Sequence, residues 1–250
     1  ALRTAGYNSV ALTGAQAGIQ TNTTHGKALI SSIDTTRIDK ELRDGNVVIV
    51  AGFQGITPDL DITTLGRGGS DTTAVALAAA MKAKRCEIYT DVDGIYTANP
   101  KLVPNATKLS EIEYEEMLEM ASHGAKMHPR SIELGMLYNI PILVASAFGN
   151  NDGTLIHEGV VNNMEIANKV SGIAIDTNVS KITVLGIVDR PGIAASVFEP
   201  LAEVGISVDV IVQNASVKGT TDVTFTVSND DLSKAVSVIK KIKGDIGASS

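Results

Sequence analysis

The run Gly66-Arg67-Gly68-Gly69-Ser70-Asp71-Thr72-Thr73 puts three glycines, a guanidinium, a hydroxyl and a carboxylate into its first six residues. The apolar stretch Ala74-Val75-Ala76-Leu77-Ala78-Ala79-Ala80-Met81 follows and reads as a helix. A β-branched run over 47–53 precedes it and reads as a buried strand. A glycine-rich loop that feeds a helix N-terminus is an anion site. Unpaired N–H groups point outward, the helix dipole favours negative charge, and glycine lets a ligand approach the backbone. Arg67 adds a planar fork matched to a carboxylate or phosphate. Ser70 or Asp71 is placed to cap the helix. A tight turn with an N-cap has the same spacing. The run is neither a P-loop nor the dinucleotide G-x-G-x-x-G, so spacing alone says anion and stops there.

Two further clusters carry chemistry. Asp91-Val92-Asp93-Gly94-Ile95-Tyr96-Thr97-Ala98-Asn99-Pro100-Lys101 follows a strand, Cys86-Glu87-Ile88-Tyr89-Thr90. Open α/β sheets bind ligands at the carboxyl ends of their strands. The two aspartates could hold a cation or orient lysines; Asp-Gly punctuation of an ordinary turn reads the same way. Lys126 follows Gly124-Ala125 and is expected to open the next helix, 129–138. In the tail, Asp189-Arg190-Pro191-Gly192 lies between a strand and a helix N-terminus, where N–H groups can take an α-carboxylate. Gln213 and Asn214 end the next strand, and an amide pair there can read an amino group and a side chain. A cap and a strand end without a ligand share that pattern. His25, His123, His128 and His157 show no metal-ligand spacing, so no metal site is expected. Cys86, the single cysteine, reads as core rather than nucleophile.

The elements that must position these residues alternate. Residues 1–6 read as a helix tail stopped by Gly6. Strands are expected at 10–12, 28–33, 47–53, 86–90, 140–145 and 153–156. Helices are expected at 35–42, 71–83, 112–120 and 129–138. That alternation is an α/β layered domain with a largely parallel sheet. Residues 157–170, with Asn162-Asn163, read as a linker. The tail then gives strand 181–187, a helix from Pro191-Gly192 to 204, strand 206–212, a turn at Lys218-Gly219, strand 222–227 and a helix 231–242 capped by Asp230 or Asp231. This βαββα order is one strand short of a ferredoxin-like unit.

Composition sets the outer limits. The chain has 250 residues, 44% hydrophobic and 20% charged, enough for one or two domains with a sizeable core. A net charge of −7 argues against nucleic-acid or anionic-membrane partners. One cysteine fits a reducing, cytoplasmic setting, and no apolar run reaches membrane-spanning length. No signal peptide is expected. Ala1 rather than Met stands first, which fits a processing or fragment boundary.

Taken together, Gly52-Phe53-Gln54-Gly55, the run Ile62-Thr63-Thr64-Leu65-Gly66-Arg67-Gly68-Gly69-Ser70-Asp71-Thr72-Thr73-Ala74, and Tyr89-Thr90-Asp91-Val92-Asp93-Gly94-Ile95-Tyr96-Thr97 resemble the aspartate kinases of the amino-acid kinase family. Val184-Leu185-Gly186 with Asp189-Arg190-Pro191-Gly192 is similar to the ACT regulatory module of that family. The resemblance implies transfer of phosphate from Mg-ATP to the side-chain carboxylate of L-aspartate, the first step toward lysine, threonine and methionine. It implies that Arg67, Gly69 and Ser70 hold aspartate, with Arg67 on the α-carboxylate and the Phe53 backbone lining the pocket. Asp71 would organise lysines around the transferring phosphoryl group. Thr90, Asp91, Tyr96, the loop through Thr97, Ala98, Asn99, Pro100 and Lys101, and Lys126 would bind ATP. Asp189, Gly192, Ala194, Gln213 and Asn214 would bind an effector amino acid, lysine or threonine, between ACT modules paired into an oligomer.

The expected domains are the C-terminal portion of the kinase domain at 1–160, a linker and edge strand at 161–180, and an incomplete ACT module at 181–250. The sequence also departs from the family. No Lys-x-Gly-Gly-Thr/Ser strand and loop is found, nor the substrate-binding glutamate, nor a second ACT module. The 250 residues therefore resemble an internal fragment and are expected to be inactive alone. Met127-His128-Pro129-Arg130 is one residue shorter than the usual spacing after the lysine, and Ala145 stands where many relatives carry arginine. The alternative function is a non-catalytic amino-acid sensor or regulatory subunit.

Overall fold

A computed structural model describes residues 1–149, 152–159, 172–214 and 219–249. The chain divides into two compact units, Ala1–Ile175 and Asp176–Ser250.

The first unit contains β1 (Ser9–Leu12), β2 (Ile19–Thr21), β3 (Ile30–Ile33), α1 (Thr36–Arg43), β4 (Val47–Val50), β5 (Gln54–Ile56), β6 (Ile62–Thr64), α2 (Gly69–Ala80), β7 (Cys86–Thr90), β8 (Glu111–Glu113), α3 (Tyr114–Ser122), α4 (Pro129–Tyr138), β9 (Ile142–Ser146) and β10 (Thr154–His157). Parallel pairing links β1 to β4, β2 to β5, β7 to β9 and β10 to β8. Antiparallel pairing links β2 to β3, β5 to β6 and β9 to β10. The expected α/β architecture is therefore present, with its sheet divided into β1-β4, β3-β2-β5-β6 and β7-β9-β10-β8.

Its main core gathers Val75 of α2, Met117 of α3, Ile132 of α4, and Ile142, Val144 and Ile156 of the adjoining strands, all fully buried. Gly135 lets α4 lie against this sheet, since a Cβ there would stand 2.7 Å from Ile142 Cδ1. α2 is apolar on nearly every side and packs against α4, as its alanine-rich sequence permits.

Several boundaries differ from the sequence reading. Residues 1–6 make turns, with Ala5 N–H donating to Ala1 O, and no helix forms there. The strand expected at 47–53 ends at Val50, and Val47 and Ile49 are exposed rather than buried. The chain breaks there because Phe53 takes a left-handed φ of 70°, which no strand continues through. The hairpin β5–β6 was hidden by its polar, glycine-containing sequence. The helix expected from 112 starts as β8, because Glu111–Glu113 pair with Leu155–His157 before α3 begins.

The second unit contains β11 (Val179–Val188), α5 (Ile193–Glu203), β12 (Ile211–Gln213), β13 (Thr220–Ser228), a 3-10 turn at Asn229–Asp231 and α6 (Leu232–Ile242). Its antiparallel sheet runs β11-β13-β12. Phe225, Ile187, Val197, Leu201 and Ile246 fill its own core, with Phe198 edge-on to Phe225 at 5.4 Å. This is the expected βαββα order. The strand expected over 206–212 narrows to Ile211–Gln213, although Asp209 and Val210 still bond to Thr226. No side chain caps α6; Ser228 Oγ instead accepts the Asp231 N–H and closes the turn before it. Most of the expected linker, with Asn162-Asn163, and the turn residue Lys218 lie outside the described residues. Over 172–178 no strand forms. Among the described residues, no helix is long and apolar enough to cross a membrane.

Candidate functional site

The anion loop forms as a left-handed entry into α2. Gly68, at φ 69°, is the N-cap, and no side chain caps the helix. Ser70 and Asp71 thus fall inside the first turn instead of before it, correcting the expected cap. Glycine is demanded here by close contact. A Cβ on Gly68 would lie 2.2 Å from His128 Cβ, and one on Gly69 would lie 2.7 Å from the Phe53 ring. Phe53 N–H donates to Thr73 Oγ1 (3.0 Å), and Thr73 donates in turn to Gly69 O (2.7 Å). The loop, the Gly52-Phe53 corner and the first turn of α2 are one hydrogen-bonded block.

A cleft of about 800 Å³ opens beside this block. Arg67, Gly68 and Asp71 line one wall; Asp91, Asp93, Tyr96, Ala98, Asn99, Pro100 and Lys101 line another; Lys126, Met127 and His128 line a third. Three stretches far apart in sequence therefore meet on one solvent-open space. Thr90 and Thr97 stand behind the wall. Thr90 Oγ1 donates to Asp91 Oδ1 at 3.1 Å, and Thr97 O accepts the Ile173 N–H at 2.8 Å. Gly69 is buried behind the loop, while Ser70 is exposed beside Gly52. Phe53, Gly69 and Ser70 shape the loop without lining the cleft.

The charges are arranged unequally. Lys126 Nζ donates to Asp91 Oδ1 at 2.6 Å. That bond, with the one from Thr90, holds the Asp91 carboxyl below the ordinary carboxylate range. Tyr96 donates to Asp93 (2.9 Å), which raises the phenol's pKa. Asp71 is different: burial pushes its pKa up, against the opposing pull of Lys126 and His128. His128 is pushed down by burial and by the nearby Arg130 and Arg67 cations, against the opposing pull of Asp71 and Glu133. Arg67 is exposed and pairs with no carboxylate among the described residues. Its guanidinium is open to a ligand.

Lys126 does not open a helix as expected. His128 is the N-cap of α4, with Nδ1 accepting the Arg130 N–H at 3.3 Å and Pro129 in the first helical position. Met127 reaches φ 102° before it. This sharp corner lies between Lys126, which lines the cleft, and the start of α4. His128-Pro129 was a readable cap signal, because proline suits the first helical position and excludes helix before it. Thr154 had no such signal. Fully buried, its hydroxyl accepts the Ile95 N–H (2.8 Å) and donates to Leu109 O (2.6 Å), anchoring the 91–101 loop from β10. Among the described residues, no group of three or more His, Cys, Asp or Glu side chains could hold a metal by itself. Cys86 is buried, and burial raises its thiol to about 11.

In the second unit, Asp189, Gly192, Ala194 and Gln213 line a concavity of about 460 Å³ together with Arg190, Pro191 and Ile193. Gly192, at φ 83°, is the N-cap of α5. Asn214 does not line it; its N–H donates to Asp222 O and its carbonyl accepts the Thr221 hydroxyl.

Residues 1–146 match the amino acid kinase family, and residues 182–242 match an ACT domain. The chain is 49% identical over 240 residues to an aspartokinase of Geobacillus stearothermophilus, covering 96% of this chain and 58% of that protein. It is 47% identical over 248 residues to the aspartokinase of Corynebacterium glutamicum, covering 97% and 59%. It thus spans less than two thirds of the length of these relatives. Among solved structures, E. coli aspartokinase III in complex with aspartate and ADP (R-state) superposes with a TM-score of 0.76 at 32% identity, covering 91% of this chain and 50% of that one. The same enzyme in complex with lysine and aspartate (T-state) gives 0.70 at 30% identity, covering 96% and 55%.

Proposed function

The chain belongs to the amino acid kinase family, and from that premise we propose that it is part of an ATP-dependent aspartate kinase regulated through its ACT domain. One observation carries the reading: Arg67 and Asp71 face the same cleft as the Asp91–Lys126 pair and the 93–101 loop. A carboxylate acceptor and a nucleotide are both anionic. Their reaction needs two anion sites side by side, with cations between them.

In this reading Arg67 forks onto the α-carboxylate of aspartate, and Gly69 and Ser70 shape the loop that presents it, the Gly69 N–H being held by Gly66 O at 3.0 Å. The Phe53 backbone, its N–H held by Thr73 and its carbonyl by the Leu65 N–H, braces that loop. Thr90, Asp91, Tyr96, residues 97–101 and Lys126 hold ATP. An oxygen of the aspartate side chain attacks the γ-phosphorus, the bond from that phosphorus to the ADP oxygen breaks, and 4-phospho-L-aspartate and ADP result. Lys126 is the cation that can shift from Asp91 toward the transferring phosphoryl group. Asp71, close enough to act on it electrostatically, keeps it aimed there. Asp91 and Asp93 are engaged by Lys126 and Tyr96, so magnesium fits this site as the companion of the nucleotide's own phosphate oxygens. When bound, the ion neutralises phosphate charge.

Lysine or threonine is the proposed effector. The Asp189–Ala194 turn and Gln213 suit an α-amino acid, and an E. coli relative has been solved with lysine. The exposed Val210, Ile211 and Val212 on the β12 edge support pairing of ACT sheets into an oligomer. A non-catalytic sensor would not need the charge arrangement of the first unit. The test is to incubate the full-length protein with Mg-ATP, L-aspartate and hydroxylamine. Aspartyl hydroxamate should form only when both substrates are present. Nucleotide and aspartate binding without hydroxamate would overturn the enzyme reading in favour of the sensor.

A further inference from the structure

We propose that Arg130 is a positioning residue for aspartate: its guanidinium fixes the carbonyl that opens the anion loop, and so sets where Arg67 stands. The proposal rests on the aspartate reading of the cleft.

Arg130 occupies the second position of α4, whose first turn holds no acidic residue. A cation at a helix N-terminus opposes the helix dipole, so local preference argues against arginine there. What it gains is long-range. Nη1 donates to Leu65 O at 2.8 Å and Nη2 to Ala28 O at 3.1 Å. Among the described residues it pairs with no carboxylate. Its whole charge is directed at two main-chain carbonyls from segments far apart in sequence.

Those carbonyls are the ones that matter for the loop. Leu65 is buried, and its N–H is already held by Phe53 O at 3.0 Å. With its carbonyl held by Arg130, the residue before Gly66 is fixed on both sides. Ala28 ends the turn that lies over the loop: a Cβ on Gly66 would stand 3.0 Å from Gly26 O, and Ala28 N–H donates to Thr64 O. At the other end of the loop, Gly68 packs against His128, two residues before Arg130. The start of α4 therefore grips the loop at Leu65 and at Gly68, and Arg67 projects from between the two grips into the cleft. A planar fork can serve two carbonyls at once; a lysine ammonium, a single compact charge, cannot hold both in that geometry.

The test compares Arg130→Lys and Arg130→Met in the full-length protein by steady-state kinetics and by amide hydrogen exchange. The aspartate KM should rise about tenfold in Arg130→Met, the cost of losing a charge-assisted contact, and less in Arg130→Lys. The ATP KM should stay within about twofold, because a general loosening would move both. Amides of residues 66–70 should exchange faster in both variants, while those of β9 keep their protection. Equal rises in the two KM values, or unchanged exchange over 66–70 in Arg130→Lys, overturns the proposal. If the unaltered protein does not phosphorylate aspartate, the proposed function fails instead. Unaccelerated exchange over 66–70 in Arg130→Lys would still overturn the positioning role in that case.

Discussion

Asp71 faces the cleft partly withdrawn from water, and its neutral form is favoured by burial. The sign of the consequence follows from linkage. A carboxyl raised above 3.8 contributes stability that is fully present below that pH and lost as pH rises through its folded value. At neutral pH the ionised Asp71 therefore costs stability. Asp71→Asn should unfold at an equal or higher temperature at pH 7. It should also lose at least about a hundredfold in kcat if Asp71 organises transition-state charge as proposed. A lower unfolding temperature with turnover retained would show that Asp71 is structural. At this scale much was legible. Three glycines around Arg67 ahead of an apolar run pointed to a loop that enters a helix, as Gly68 and α2 do. What was hidden was the role of His128. A histidine beside a proline carries no sign that its ring will lie against a glycine sixty residues earlier.

Elements were legible where their period was strong. α2, α4, β7 and β13 lie within a few residues of where their apolar patterns put them. The β5–β6 hairpin and β8 were missed because each is three residues long, too short for alternation to show. The anchoring of the 91–101 loop was missed for a different reason: a single buried hydroxyl, Thr154, does it from β10. Thr154→Val keeps the shape of the side chain but leaves the Ile95 N–H without its acceptor. Stability should fall by about 1–3 kcal/mol, read by denaturant unfolding. The ATP KM should rise while the aspartate KM stays nearly level, because the loosened loop is the wall proposed to hold the nucleotide. An aspartate KM that rises in step would mean that Thr154 supports the whole unit instead.

Among the described residues the first unit has one core gathered on Met117, Ile132 and Ile142 and another on Leu12, Ile19 and Ile38, and the second unit has one on Phe225 and Leu201. Each unit carries a concavity next to a helix that starts after a left-handed glycine, Gly68 in the first and Gly192 in the second. If the second concavity takes an amino acid, calorimetric titration of the full-length protein should find lysine or threonine binding that Gln213→Ala weakens. Saturation should change the aspartate affinity by about 1–3 kcal/mol, an ordinary coupling free energy. No heat with either amino acid, or binding indifferent to Gln213→Ala, would remove the effector site from this pocket. The sequence changes along its length from layered alternation to βαββα, and the two compact units part after Ile175.

The contact between Gly68 and His128 also limits how selectivity at this cleft can drift. Any side chain at 68 would stand 2.2 Å from His128 Cβ and 2.4 Å from its ring carbon Cγ, and would have to hold a φ of 69°. Position 69 is closed in the same way by Phe53 and Leu65. A lineage or a laboratory library seeking a differently shaped ligand cannot recut the cleft at these two glycines. Viable changes must come from the other walls, at positions such as Ala98 and Asn99, or be made in pairs with His128.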